Sequence, residues 1–232
     1  MTPRFDLATV LSGEYLARYV TGFITTMELA VAAWILAFLL AVLLTVVRMA
    51  PFKPADWAVA AFVEYHRNVP LLIQILLWYF GVPELLPNSA RMWINQQNSE
   101  FFFALVAIGL CFSAYMSEDL RSGIRSIPGT QYEAARALAF GYFRSMYYVI
   151  LPQALRVSGP PLINQTLFLF KNTSLAMAIG VAELTYQAKE IESYTFKTFE
   201  AFFVATAVYL TISLGIMLLG DHAARRSQID AR

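Results

Sequence analysis

Long stretches without charge limit how this chain can fold more than any other feature. Leu29 to Val47 runs 19 residues with no charged side chain, Ala201 to Leu219 another 19, and Phe101 to Ser117 a further 17. A helix that crosses a bilayer needs about 20 mostly apolar residues. Trp57 to Val82 is apolar apart from Glu64, His66 and Arg67, and a stretch between Val149 and Ala182 is interrupted by Lys171. Composition agrees: 58% of residues are hydrophobic and 14% charged, against about 25% charged in soluble domains. A single small core cannot hide that much apolar surface from water. The expectation is an all-α polytopic membrane protein, one domain over 1–232, with five transmembrane helices at about 19–47, 57–82, 101–117, 160–182 and 201–219. Met1 to Arg18 lacks a basic segment followed by a short apolar core, so the spans themselves are expected to direct insertion.

Five spans put the two ends on opposite sides, and lysine and arginine indicate which is inside. With the C-terminus inside, segments 48–56, 118–156 and 220–232 hold ten basic residues, and 1–18, 84–100 and 183–200 hold five. The bias favours an outside N-terminus. The longest inner segment, 118–156, reads as a surface helix from Thr130 to about Tyr148. Thr130 and Glu133 have the spacing of a capping box. Glu183, Glu190 and Glu192 fall in an outer segment, where a solvated face is the default. Trp34, Trp78, Tyr79 and Trp93 are expected in span packing or the interfacial belt.

Charge inside hydrocarbon is costly and normally faces a cavity or a partner. Glu64, His66, Arg67 and Asn68 precede Val69-Pro70 and Gln74. Pro70 removes a backbone hydrogen bond and weakens the helix there, and Glu64 and Arg67, three apart, could pair. If these groups lay at the interface, too few residues would remain before Pro83 to cross. Lys171, Asn172, Thr173 and Ser174 lie near mid-depth if the fourth span starts at Pro160 and runs to Ala182. A cation with three neutral polar neighbours suits a carboxylate-bearing solute. Alternatively the span ends at Phe170 and Lys171 snorkels to the surface. On the mid-depth reading, Arg67 and Lys171 would offset solute carboxylates, with Asn68, Gln74, Asn172, Thr173 and Ser174 supplying hydrogen bonds. Glu133-Ala134-Ala135 reads either as a capped surface helix or as a docking knob whose small residues admit another protein.

The sequence has no G-x-x-x-x-G-K-[ST] phosphate loop, no H-E-x-x-H, no G-x-S-x-G and no zinc-spaced cysteines, so neither ATP binding of that type nor hydrolytic chemistry is expected. The net charge of +1 provides no basic footprint for nucleic acid. Paired halves, common in secondary carriers, are not evident.

Several motifs together resemble the permease subunits of bacterial ABC importers for polar amino acids, with the glutamate/aspartate branch nearest. Glu133-Ala134-Ala135-Arg136-Ala137-Leu138-Ala139, running to Ile150-Leu151-Pro152, is similar to the family's EAA loop, E-A-A-x3-G-x9-I-x-L-P. Lys171-Asn172-Thr173-Ser174 is similar to its K-N-[ST] segment, and Arg67-Asn68-Val69-Pro70-Leu71-Leu72-Ile73-Gln74 to its second-span signature. Trp78-Tyr79-Phe80 through Pro83-Glu84-Leu85-Leu86-Pro87 resembles the acidic amino acid branch. Two positions depart from the pattern: the family glycine is Ala139, and the isoleucine before L-P is Val149. The turn that the glycine permits is expected to be lost or moved to Gly141.

The resemblance implies five spans and a multi-pass protein of the bacterial inner membrane, N-terminus outside and C-terminus inside. It implies a cytoplasmic coupling helix between spans three and four in which Glu133, Ala134, Ala135, Arg136, Ala139 and Gly141 dock onto an ATP-hydrolysing subunit. The chain itself would be no enzyme and carry no cofactor, ATP and Mg belonging to that partner. A pair of ATP-binding subunits, a second permease subunit (a sister chain or a copy), a periplasmic solute-binding protein and the lipid bilayer are the implied partners. A self-contained channel or secondary carrier for small polar solutes is the competing reading.

Overall fold

The computed structural model describes residues 6–49, 52–96 and 98–227, and every regular element among them is helical. The order is α1 (Leu7–Val10), α2 (Gly13–Met49), α3 (Lys53–Asn68), α4 (Leu71–Leu76), α5 (Val82–Leu85), α6 (Asn88–Asn95), α7 (Ser99–Arg125), α8 (Gly129–Ala137), α9 (Tyr142–Ser145), α10 (Leu151–Asn172), α11 (Leu184–Thr195) and α12 (Thr198–Ser227). Three helices, Gly13–Met49, Ser99–Arg125 and Thr198–Ala224, are long and apolar enough to cross a membrane. Two bent pairs bring the number to five if each counts as one span.

α2 and α7 form the axis of the bundle. Leu29, Ala33, Ala37 and Ala41 recur every four residues on one face of α2 and are fully buried against Ala104, Ala107 and Ile108 of α7. Apolar burial gives little drive between helices in lipid, so small residues that permit close backbone contact carry the association. A methyl on Gly109 would lie 2.5 Å from Leu36 Cδ2, so any larger residue would have to displace the Leu36 side chain. With 37 residues, α2 is about 55 Å long at about 1.5 Å per residue, well beyond the hydrocarbon. Past one end of that axis, Arg48 bonds Asp56 at 2.9 Å and pairs with Glu118, which also takes Arg121 at 2.7 Å. This network joins α2, α3 and α7.

The second apolar stretch is not one rod. α3 ends at Asn68, Val69 is extended (φ −97°, ψ 129°), and α4 sets off at 108° to α3. Steric conflict between a proline ring and the preceding residue disfavours helix at that residue, so Val69-Pro70 breaks the chain rather than only weakening it. Further on, Leu77–Gly81 is a π-helical turn two residues before Pro83, and Met146–Ile150 is another two residues before Pro152. Each contains the carbonyl that the proline ring would strike in an α-helix, and widening the turn removes that clash.

The fourth stretch also differs from the expectation. α10 begins at Leu151 and carries Pro160 and Pro161 inside it. Membrane helices accept proline where neighbouring segments cover the freed carbonyls. Lys171 falls in the last turn of α10, followed by a 3-10 segment Thr173–Ile179 and by α11 at 49°. Glu183 is not solvated: it is fully buried as the N-cap of α11. It accepts from Thr185 N–H at 2.9 Å, Tyr186 N–H at 2.8 Å and Tyr209 O–H at 2.8 Å. Those donors make a buried carboxylate tolerable.

In the elbow between α7 and α10 the anticipated helix from Thr130 to Tyr148 is interrupted. α8 starts one residue early behind Pro128, which offers no side-chain cap, so the Thr130–Glu133 capping box does not form. α8 ends in a Schellman motif: Phe140 N–H bonds Ala135 O at 3.0 Å and Ala139 N–H bonds Arg136 O at 2.8 Å. That motif demands a left-handed residue, and it is Ala139, at φ 55°. The turn has therefore stayed in place and has not moved to Gly141, whose φ is −71°.

Candidate functional site

A cavity of about 530 Å³ opens where the α3–α4 break meets α7 and α10. Arg67, Asn68 and Val69-Pro70 form one wall, Cys111, Phe112 and Tyr115 of α7 the second, and Gln165, Phe168 and Asn172 of α10 the third. The broken span creates the space: the 108° bend swings α4 out of line with α3, leaving α3's last residues facing α7 and α10.

Arg67 dominates the electrostatics. Its guanidinium lies over the Tyr115 ring, 5.6 Å from the centroid, and Tyr115 O–H donates to Arg67 O at 3.3 Å. A cation over a ring face uses the ring's charge distribution and leaves the guanidinium N–H donors available. Glu64 does not pair with it. Instead Asn68 Nδ2 donates to Glu64 Oε2 at 2.9 Å and to Glu64 O at 2.7 Å. Arg67 enters no ion pair among the described residues. The site thus offers a cation beside the amides of Gln165 and Asn172, the latter with one N–H given to Phe168 O, while both N–H donors of Asn68 are taken by Glu64. A cation with amide donors beside it suits a carboxylate.

Gln74 lies behind this wall. It is fully buried, its Oε1 stands 2.6 Å from His66 Nδ1, and its Nε2 donates to His66 O at 3.0 Å and Val69 O at 2.8 Å. It takes up polar groups freed where the helix breaks, and so holds the bend. Thr173 is likewise buried, its hydroxyl donating to Phe170 O at 2.7 Å. Ser174 donates to Lys171 O at 2.8 Å. Lys171 is exposed, with Nζ 5.7 Å from the centroid of the Phe168 ring, which lines the cavity. Of the seven residues anticipated for a solute, Arg67, Asn68 and Asn172 line one space, Lys171 lies outside the lining beside Phe168, and Gln74, Thr173 and Ser174 bond to neighbouring backbone carbonyls.

Tyr115, Gln165 and Phe168 were not anticipated. Gln165 had a signal, a second amide beside Asn164 inside an apolar run; the two aromatic residues had none to set them apart from packing residues. Among the described residues no cluster of three or more His, Cys, Asp or Glu could hold a metal ion.

At the elbow, Glu133, Ala134, Arg136 and Ala139 are exposed, together with Gly141, whereas Ala135 is buried. A cluster of Ile127, Ile150 and Ala154, with Tyr132, Met146 and Val149 against it, anchors the elbow to the start of α10. Leu138, Tyr142, Phe143, Tyr147 and Tyr148 project outward around it.

Residues 33–229 match the family profile described as the binding-protein-dependent transport system inner membrane component. The glutamate/aspartate import permease protein GltJ of Escherichia coli is 34% identical over 219 residues, covering 93% of this chain and 89% of that protein. The probable glutamine ABC transporter permease protein GlnM of Bacillus subtilis is 35% identical over 208 residues, 90% and 92% of the two chains. A solved structure titled as an amino acid ABC transporter with histidines superposes with a TM-score of 0.85 at 29% identity, covering 97% of this chain and all of that one.

Proposed function

We propose a specific transport role on one premise: this chain belongs to the binding-protein-dependent transport system inner membrane components, as a non-catalytic ABC permease for polar amino acids. The role is passage of acidic amino acids, of the glutamate and aspartate class, through the Arg67 cavity. The observation that carries it is the Arg67 guanidinium, which enters no ion pair among the described residues, lies over Tyr115 and has the Gln165 and Asn172 amides in the same cavity. A carboxylate entering there gains charge-assisted hydrogen bonds. Lys171, exposed beside Phe168, would in this reading meet a second carboxylate, which neutral amino acids lack.

The chain works in the inner membrane with ATPase subunits and a binding protein. In this reading the N-terminus is outside, and the exposed face of α8, with Glu133 and Ala134, fits a groove on the ATPase. A second permease subunit completes the pathway. ATP binding and the loaded binding protein each shift a two-state equilibrium by their differential affinity for its inward- and outward-facing forms.

The test is ATP hydrolysis and uptake by the reconstituted complex. L-Glutamate and L-aspartate should stimulate both, and Lys171→Ala should weaken acidic uptake more than uptake of L-glutamine. Stimulation by L-glutamine or L-arginine but not by the acidic pair would reassign the solute. Uptake by the purified chain without any ATPase would favour a self-contained carrier.

A further inference from the structure

Cys111 and Tyr115 line the cavity one helical turn apart on α7. The next residue on that face is Asp119. There α7 and α10 close on each other: Ser158 O–H donates to Asp119 O at 3.1 Å, and at Gly123 a methyl would lie 1.9 Å from Ser158 Oγ. Asp119 does not itself line the cavity; it lies behind Gln165, which does. Its Oδ2 is buried with no hydrogen-bond partner. The Gln165 amide and the Arg67 guanidinium both act on this carboxylate, yet Arg67 forms no ion pair with it.

A buried carboxylate oxygen without a donor is expensive and calls for an explanation. Here the missing donor is adjacent to a cavity that also presents a separated cation. A group with a positive and a negative end would answer both Asp119 and Arg67, and a zwitterionic α-amino acid is such a group. We propose that Asp119 receives the α-ammonium of the carried amino acid while Arg67 takes a carboxylate. This rests on the transport reading above and adds to it the determinant that separates amino acids from plain carboxylic acids. The proposal requires the Gln165 side chain to turn aside as the solute binds, after which the ammonium's three N–H donors can satisfy both Oδ2 and the Gln165 carbonyl.

The test measures binding of L-glutamate and of glutarate, the same dicarboxylate without the amine, to the purified permease–ATPase complex without binding protein. The wild-type complex should bind glutamate more tightly by roughly 10- to 100-fold, the scale of one hydrogen bond to a charged group. Asp119→Asn should bring glutamate down to the glutarate level while leaving glutarate unchanged or tighter, and Asp119→Glu should keep most of the discrimination. Asp119→Ser gives the same reading if the asparagine variant assembles poorly. Arg67→Gln should weaken both compounds together. Equal loss of both compounds on Asp119→Asn, or no loss of either, overturns the proposal and leaves the transport reading standing. A wild-type complex that binds neither compound overturns both.

Discussion

Ala139 stands where the family pattern has glycine, and its left-handed φ of 55° shows what the exchange costs. A Cβ in that region is unfavourable by about 1 kcal/mol, and Ala139→Gly should recover up to about that amount. Thermal unfolding of the purified permease checks it; Ala139→Val should move the midpoint the other way. Gln74 makes the opposite case, a polar side chain whose work is internal. Gln74→Leu leaves the His66 and Val69 carbonyls without their donor, and about 1–3 kcal/mol of stability should be lost. Uptake should fall because the bend relaxes, so a solute that still protects the variant against unfolding as it does wild type would show the cavity intact. The sequence placed Gln74 among the polar residues in apolar company, and correctly made it unusual. It could not say whether the amide faced solute or backbone, because that depends on where the carbonyls released at Val69-Pro70 point.

Prolines decide the form of the elements. Pro70 breaks a span by 108°, Pro83 and Pro152 each follow a π-helical turn, and Pro160 and Pro161 are absorbed within α10. All five are plain in the sequence, but the outcome of each rests on whether packing covers the carbonyl it strands. α8 is short and held from below by the Ile127, Ile150 and Ala154 cluster, so its outward face is free for contact. Glu133→Lys reverses a charge on that exposed face without touching the buried Ala135. Insertion and melting temperature should be unchanged, and recovery of the ATPase with the permease should be lost. Unchanged copurification and uptake would remove Glu133 from the docking surface.

Across the whole molecule, much apolar surface remains uncovered. α12 buries Ala201 and Ala205 but exposes Phe203, Leu210, Leu214 and Leu218, and α2 exposes Val31, Ile35, Leu39 and Leu43. Lipid and neighbouring subunits are the surroundings in which such faces are stable. The orientation follows from charge: the arginine-rich end that holds Arg48, Arg121 and the elbow should face the cytoplasm. The chain has one cysteine, Cys111, buried in the bundle. A cysteine introduced at exposed Ala137 should therefore resist a membrane-impermeant maleimide in intact cells and react after permeabilisation. Reaction in sealed cells would invert the topology.

Apolar run length and basic-residue bias are one-dimensional properties, and the membrane reads them segment by segment. They therefore yielded the helical class, the candidate spans and the expected sidedness from the sequence alone. The motifs around Arg67 and Lys171 marked segments that border one cavity in the structure, since charge in an apolar run has few stable places. Which polar groups face one another was decided only by the tertiary structure. Arg67, Tyr115 and Gln165 line one cavity because α3 breaks off beside α7 and α10, and the position of a break in space depends on the helices packed around it.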